Sequence, residues 1–182
     1  MQRRRCVVCK SIVSLGVGFL GVLTAPFAGA AAAAPSAPPP TCAGEAFRAF
    51  DFWLGHWVVT IADGRRAGQN DITATADGCA LVERWSGVGG SSGSSLNFYD
   101  QARDVWRQIW VSTSGTIEIS GGIDDGAMVL EGEIRYWANG IQRPFRGRWS
   151  VEPDGRVRQF FEEQVDGAWQ PWFEGFYAKV VE

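Results

Sequence analysis

The sequence predicts an all-β fold, a single up-and-down antiparallel β-barrel of about ten strands preceded by a short helix. Turn dipeptides recur along most of the chain: Asp63-Gly64, Asp77-Gly78, Ser114-Gly115, Asp125-Gly126, Asn139-Gly140, Asp154-Gly155 and Asp166-Gly167. Between them lie short runs rich in Val, Ile, Trp, Phe and Thr, the pattern of strands joined by hairpins. Helical periodicity is nearly absent. Ten consecutive hairpin strands in an open sheet would leave two unpaired edges, and closure into a barrel removes both.

The first forty residues differ from the rest. They carry Arg3, Arg4, Arg5 and Lys10 and no acidic residue, then an apolar run from Ser11 to Ala25, then Ala28-Gly29-Ala30. A basic start, a short apolar stretch and a small-x-small site are the three parts of a secretory signal peptide. We place it at 1–34. The apolar run is shorter than the ~20 residues of a spanning helix, and Gly16, Gly18 and Gly21 weaken it further, so cleavage is expected rather than a membrane anchor. Cys42 follows Pro-Pro-Pro-Thr, which does not fit a lipoprotein site, while the arginines leave Sec or twin-arginine export open. Residues 35–44 read as a stiff Pro-rich leader and 45–182 as the barrel domain.

Cleavage would remove four of the 17 basic residues and none of the 20 acidic ones, leaving a net charge of −7. Nucleic acid and anionic membrane surfaces are poor partners for such a chain. Cys6 and Cys9 would leave with the signal peptide, so Cys42 and Cys79 remain as one pair in an oxidising compartment, where a disulfide is expected.

Strands are expected near 56–62, 70–76, 79–86, 94–100, 105–112, 115–121, 127–135, 142–151, 156–165 and 171–181. The helical stretch is Glu45 to Leu54, where Phe47, Phe50 and Leu54 share a face and can cap the barrel mouth. The barrel opens on Phe50-Asp51-Phe52-Trp53-Leu54-Gly55-His56-Trp57, with Gly78-Cys79-Ala80-Leu81-Val82-Glu83-Arg84-Trp85, Tyr99-Asp100 and Trp106-Arg107-Gln108-Ile109-Trp110 following in order. The Gly-x-Trp of the opening resembles the short lipocalin-like signature. The ordered set resembles a family of exported bacterial proteins of unknown function in the calycin superfamily, over most of residues 47–181. The resemblance implies a barrel with an enclosed cavity, and it implies no reaction.

Residues two apart on a strand share a face, so one inward residue sets its strand. If Trp57 points inward, as the resemblance implies, Val59 and Ile61 join it and His56 points out. The more apolar parity elsewhere selects Leu81, Glu83 and Trp85; Trp106, Gln108 and Trp110; Phe145, Gly147 and Trp149; Val157, Gln159 and Phe161; and Phe173 and Tyr177. Such a lumen suits a small hydrophobic or aromatic molecule, with Glu83, Trp85, Trp106, Gln108, Trp110, Gln159 and Tyr177 as candidate binding residues. The same tryptophans would equally serve as the core of a filled barrel. An inward Glu83 would be desolvated and its pKa raised unless an arginine meets it, which also makes it a candidate general acid or base, with Tyr177 or Gln108 as an oxyanion donor.

Several constellations fail. His56 is the only histidine, which excludes histidine clusters for zinc and a nucleophile with two histidines, and its outward phase argues against heme ligation. No cofactor is implied. Gly87 to Ser95 lacks the lysine and following helix of a phosphate cradle and reads as a flexible loop. Asp124-Asp125-Gly126 reads as a hairpin turn rather than a calcium loop. Glu162 and Glu163 point to opposite faces, and Arg146 and Arg148 read as a solvated strand face.

Overall fold

The computed structural model describes residues 42–180, so the expected signal peptide and residues 35–41 of the leader lie outside the described residues. A short helix α1 (Glu45–Arg48) and a 3-10 turn (Asp51–Trp53) lead into ten strands: β1 (Gly55–Thr60), β2 (Arg66–Thr75), β3 (Ala80–Gly87), β4 (Ser92–Asp100), β5 (Val105–Ser112), β6 (Gly115–Asp124), β7 (Ala127–Tyr136), β8 (Gln142–Val151), β9 (Val157–Val165) and β10 (Ala168–Lys179). Each strand pairs antiparallel with its sequence neighbours, and β1 pairs with β10 from Trp57 opposite Lys179 to Thr60 opposite Phe176. The barrel is closed.

The turns explain the meander. Asp125-Gly126 and Asp166-Gly167 occupy two-residue hairpins with positive φ at both positions, where Asp tolerates and Gly prefers the left-handed conformation. Ser114-Gly115 departs from the expectation. Gly115 belongs to β6 and faces inward, where a Cβ would strike the Arg135 carbonyl, so Thr113 and Ser114 form the turn. The loop expected over 87–95 shrinks to 88–91, because Ser92 onward pairs with both β3 and β5 despite its weak strand propensity. Strand β2 begins four residues earlier than expected, and Ile61 lies in the turn beyond β1, its N–H bonded to the Arg65 carbonyl.

The helix expected over 45–54 is broken in two. Four residues of helix are marginal without tertiary support, and burial of Phe50 and Trp53 decides the chain path instead. Both are fully buried and stack at 5.0 Å with planes 18° apart. Leu54 and Phe47 stay half-buried, so Trp53 replaces them as the plug's main apolar group. Gly55 then takes φ +146°, a conformation that favours glycine, at a place where a Cβ would meet Lys179 and Trp57. That is the structural reason for the Gly in Gly-x-Trp.

Cys42 and Cys79 are joined by a disulfide with Cα atoms 5.0 Å apart. It ties the segment before the plug to the start of β3, beside Arg48, whose guanidinium donates to the Gly78 carbonyl and, at 3.3 Å, to that of Cys42.

Candidate functional site

Inward parity holds on every strand that carries a candidate residue, but the lumen is not uniform along its length. At the plug end Phe50 and Trp53 pack against Trp106, Trp149 and Tyr177 at centroid distances of 5.2–6.4 Å, and Trp57 donates its indole N–H to the Trp53 carbonyl at 3.0 Å. With Met128, Leu130 and Val157 also buried, this half is solid core. The opposite half holds a cavity of about 300 Å³, at the lower end of the range for small-molecule pockets.

Trp85, Trp110, Phe161, Trp172 and Phe173 supply the cavity's apolar walls, and Glu83, Gln108, Gln159 and Tyr177 supply its polar floor. Two inner-wall glycines keep the walls apart. A Cβ at Gly68 would strike the Trp85 ring and one at Gly93 the Trp110 ring, so both indoles lie flat against neighbouring strands instead of projecting across the lumen. A bulge in β10 between Pro171 and Phe173 adds one residue and turns Trp172 toward the mouth, where its ring meets Phe145 and Phe161. There the Trp172 N–H donates to the Tyr136 hydroxyl, which donates to Glu163, itself paired with Arg143 at 3.1 Å.

The floor is a continuous hydrogen-bonded chain drawn from β9, β10, β2, β3, β4 and β5. Tyr177 donates to Gln159 Oε1, and Asn70 Nδ2 donates to the Tyr177 hydroxyl at 3.4 Å and to Glu83 Oε1 at 2.7 Å. Ser95 donates to Glu83 Oε2 at 2.6 Å. Asn97 donates to Ser95 at 2.8 Å and accepts from Gln108 Nε2 at 2.7 Å. No arginine meets Glu83. Its exposure is 4%, and burial lifts its pKa from 4.5 to about 7, with the hydrogen bonds from Ser95 and Asn70 holding it from rising further. Burial also pushes Tyr177 well above the usual tyrosine range.

A raised carboxyl pKa makes the folded state the better proton binder, so the proton's contribution to stability is fully present below about pH 4.5 and is lost as pH rises through about 7. Two and a half units correspond to about 3 kcal/mol. Urea unfolding should therefore show the protein less stable at about pH 8 than at about pH 5 by roughly that amount, and Glu83→Gln should flatten the slope. A wild-type profile without the decline would mean that Glu83 is not desolvated.

Six of the seven candidate binding residues line the cavity: Glu83, Trp85, Gln108, Trp110, Gln159 and Tyr177. Trp106 does not. It shares their parity but sits in the filled half, edge-on to Phe50 at 5.6 Å, with its N–H bonded to the Ala46 carbonyl at 2.9 Å. Its distance along the barrel axis from Trp110 makes the difference. His56 faces outward and bonds Asp71 at 2.6 Å. Arg146 also lies on the outer wall, paired with Glu162 at 2.7 Å and stacked on Trp169.

Ser95 and Asn97 escape sequence reasoning because the inward face is sought as the more apolar parity, whereas Asn70 shares the inward parity of Ile72 on β2 and carries no signal of its own as a partner for Glu83. On β4 that rule selects Leu96 and Phe98, yet Leu96 is exposed while Ser95 and Asn97 are buried. The usable signal was cross-strand: a buried carboxylate on β3 requires donors on the strands beside it. Among the described residues no group of three or more His, Cys, Asp or Glu is placed to hold a metal ion. Tyr177 gives its one hydroxyl proton to Gln159, and Gln108 spends one of its two amide N–H groups on Asn97. In comparisons with known proteins, the chain matches no family model and no curated protein.

Proposed function

We propose that the protein is an extracytoplasmic carrier that holds a small hydrophobic or aromatic molecule in the open half of its barrel and performs no chemistry on it. The observation that carries this is the division of the lumen into a solid plugged half and a cavity of about 300 Å³ with aromatic walls and a polar floor. Gly68 and Gly93 let the Trp85 and Trp110 rings lie close against neighbouring strands at the edge of that cavity. The Cys42–Cys79 disulfide supports an oxidising compartment, as the expected signal peptide does. We also propose membership of the exported lipocalin-like family that the motifs resemble, a reading supported by the closed barrel and the glycine-dependent turn at Gly55.

The alternative of a cavity enzyme with Glu83 as acid or base has less support, because the Tyr177 hydroxyl proton is already engaged by Gln159. The test is native mass spectrometry of protein purified from its own compartment, combined with tryptophan fluorescence during titration with small aromatic compounds. A retained molecule, or saturable quenching through Trp85 and Trp110, is expected. Gln108→Leu should weaken a ligand that bonds the floor by about 1–3 kcal/mol, since its polar group is left unpaired. No retained species and no saturable response would leave a filled or purely structural barrel as the better account.

A further inference from the structure

We infer that the molecule this cavity takes is a small organic cation, an aromatic or alkyl amine whose ammonium meets the Glu83 carboxylate at the floor while its apolar body lies between Trp85, Trp110 and Phe173. This rests on the binding function proposed above and names the chemical class of its ligand.

Three features of the site converge on a cation. The first is that Glu83 is buried beside the cavity without a counter-charge: both oxygens accept only from the neutral Asn70 and Ser95, and every salt bridge among the described residues lies elsewhere. A lone buried carboxylate destabilises a fold, and such groups concentrate where a ligand or a reaction needs them. The second is that the Glu83 oxygens keep lone pairs to give, since each accepts one hydrogen bond from Asn70 or Ser95 and can take another. An ammonium carries donors only and can fill them, whereas a carboxylate or phosphate would meet a like charge. The third is the wall. Aromatic faces attract cations as well as apolar groups, and most strongly where water is excluded.

Binding is linked to one proton. The groups that face Glu83 are Asn70 and Ile72 of β2, Ser95 of β4 and Tyr177 of β10, and of these only Tyr177 titrates, far above neutrality. Glu83, with its pKa raised by burial to about 7, holds a proton in the empty protein at mildly acid pH. The arriving ammonium replaces that proton, which leaves to buffer, and the carboxylate and ammonium form the pair. Amine affinity should therefore rise by about tenfold per pH unit up to about pH 7 and level off above it.

The experiment is isothermal titration of the full mature chain with phenethylamine, phenethyl alcohol and hydrocinnamate, which share a ring and differ in the charge of the head. The amine should bind at least about tenfold more tightly than the alcohol at about pH 8, and the carboxylate least. Titration at about pH 6 in buffers of different ionisation enthalpy should report close to one proton released per amine bound. Glu83→Gln should remove the amine's advantage and the proton release, with far-ultraviolet circular dichroism and a cooperative urea transition showing that the variant is folded. If that variant does not fold, the wild-type proton release and amine preference decide alone. Alcohol and amine binding equally, or the carboxylate binding best, overturns the amine assignment and leaves the binding function standing. Binding of none of the three overturns both.

Discussion

Replacing Trp53 with alanine should lower the unfolding free energy by about 3–5 kcal/mol, the range for removing a large aromatic from a core. Trp53 is fully buried, lies against Phe50, Trp149 and Tyr177, and its carbonyl receives the Trp57 indole. The resulting void is enclosed by barrel strands that are hydrogen-bonded on both sides, so the site cannot collapse to fill it. Trp53→Phe should cost much less, because the indole N–H it removes has no partner in the fold. Urea denaturation followed by far-ultraviolet circular dichroism measures both. A loss below about 1 kcal/mol for the alanine variant would mean that the plug does not pack as described. Because Trp53 belongs to the filled half, ligand affinity measured where the variant remains folded should change little.

Converting Cys42 and Cys79 together to serine should lower stability by about 4 kcal/mol on chain-entropy grounds, since the bond closes a loop with a sequence separation of 37. Free-thiol titration of denatured wild-type protein exported to the periplasm should find no thiol, and two thiols there would remove the basis for the stability change. The chain-entropy account places the disulfide's effect in the unfolded chain, so a double-mutant cycle with Trp53→Ala should give losses that add within about 0.5 kcal/mol. A combined loss clearly smaller than the sum would show that the disulfide acts instead through the seating of residues 42–54 against the plugged end.

Much of this protein is legible in its sequence because the determining physics is local. Asp-Gly dipeptides specify hairpins through their own backbone preferences, as at Asp125-Gly126 and Asp166-Gly167. Alternation along a strand fixes which side chains face inward wherever a large aromatic sets the phase, as Trp57 does for β1 and Trp149 for β8. The pairing of two cysteines and the closure of ten strands follow from chemistry and from unpaired edges. Depth along the barrel axis does not. Trp106 and Trp110 share a face and a strand, yet they lie about 13 Å apart at the usual strand rise, one in the plug and the other at the cavity. Which end is filled depends on where residues 45–54 dock. The floor assembles only because register places Asn70, Glu83, Ser95 and Asn97, which are distant in sequence or individually unremarkable, within hydrogen-bond reach. The amino-acid sequence by itself determined the barrel and its inward faces; the tertiary structure alone decided which half is solid and which polar groups meet, because those depend on cross-strand register and plug packing rather than on any residue's own neighbours.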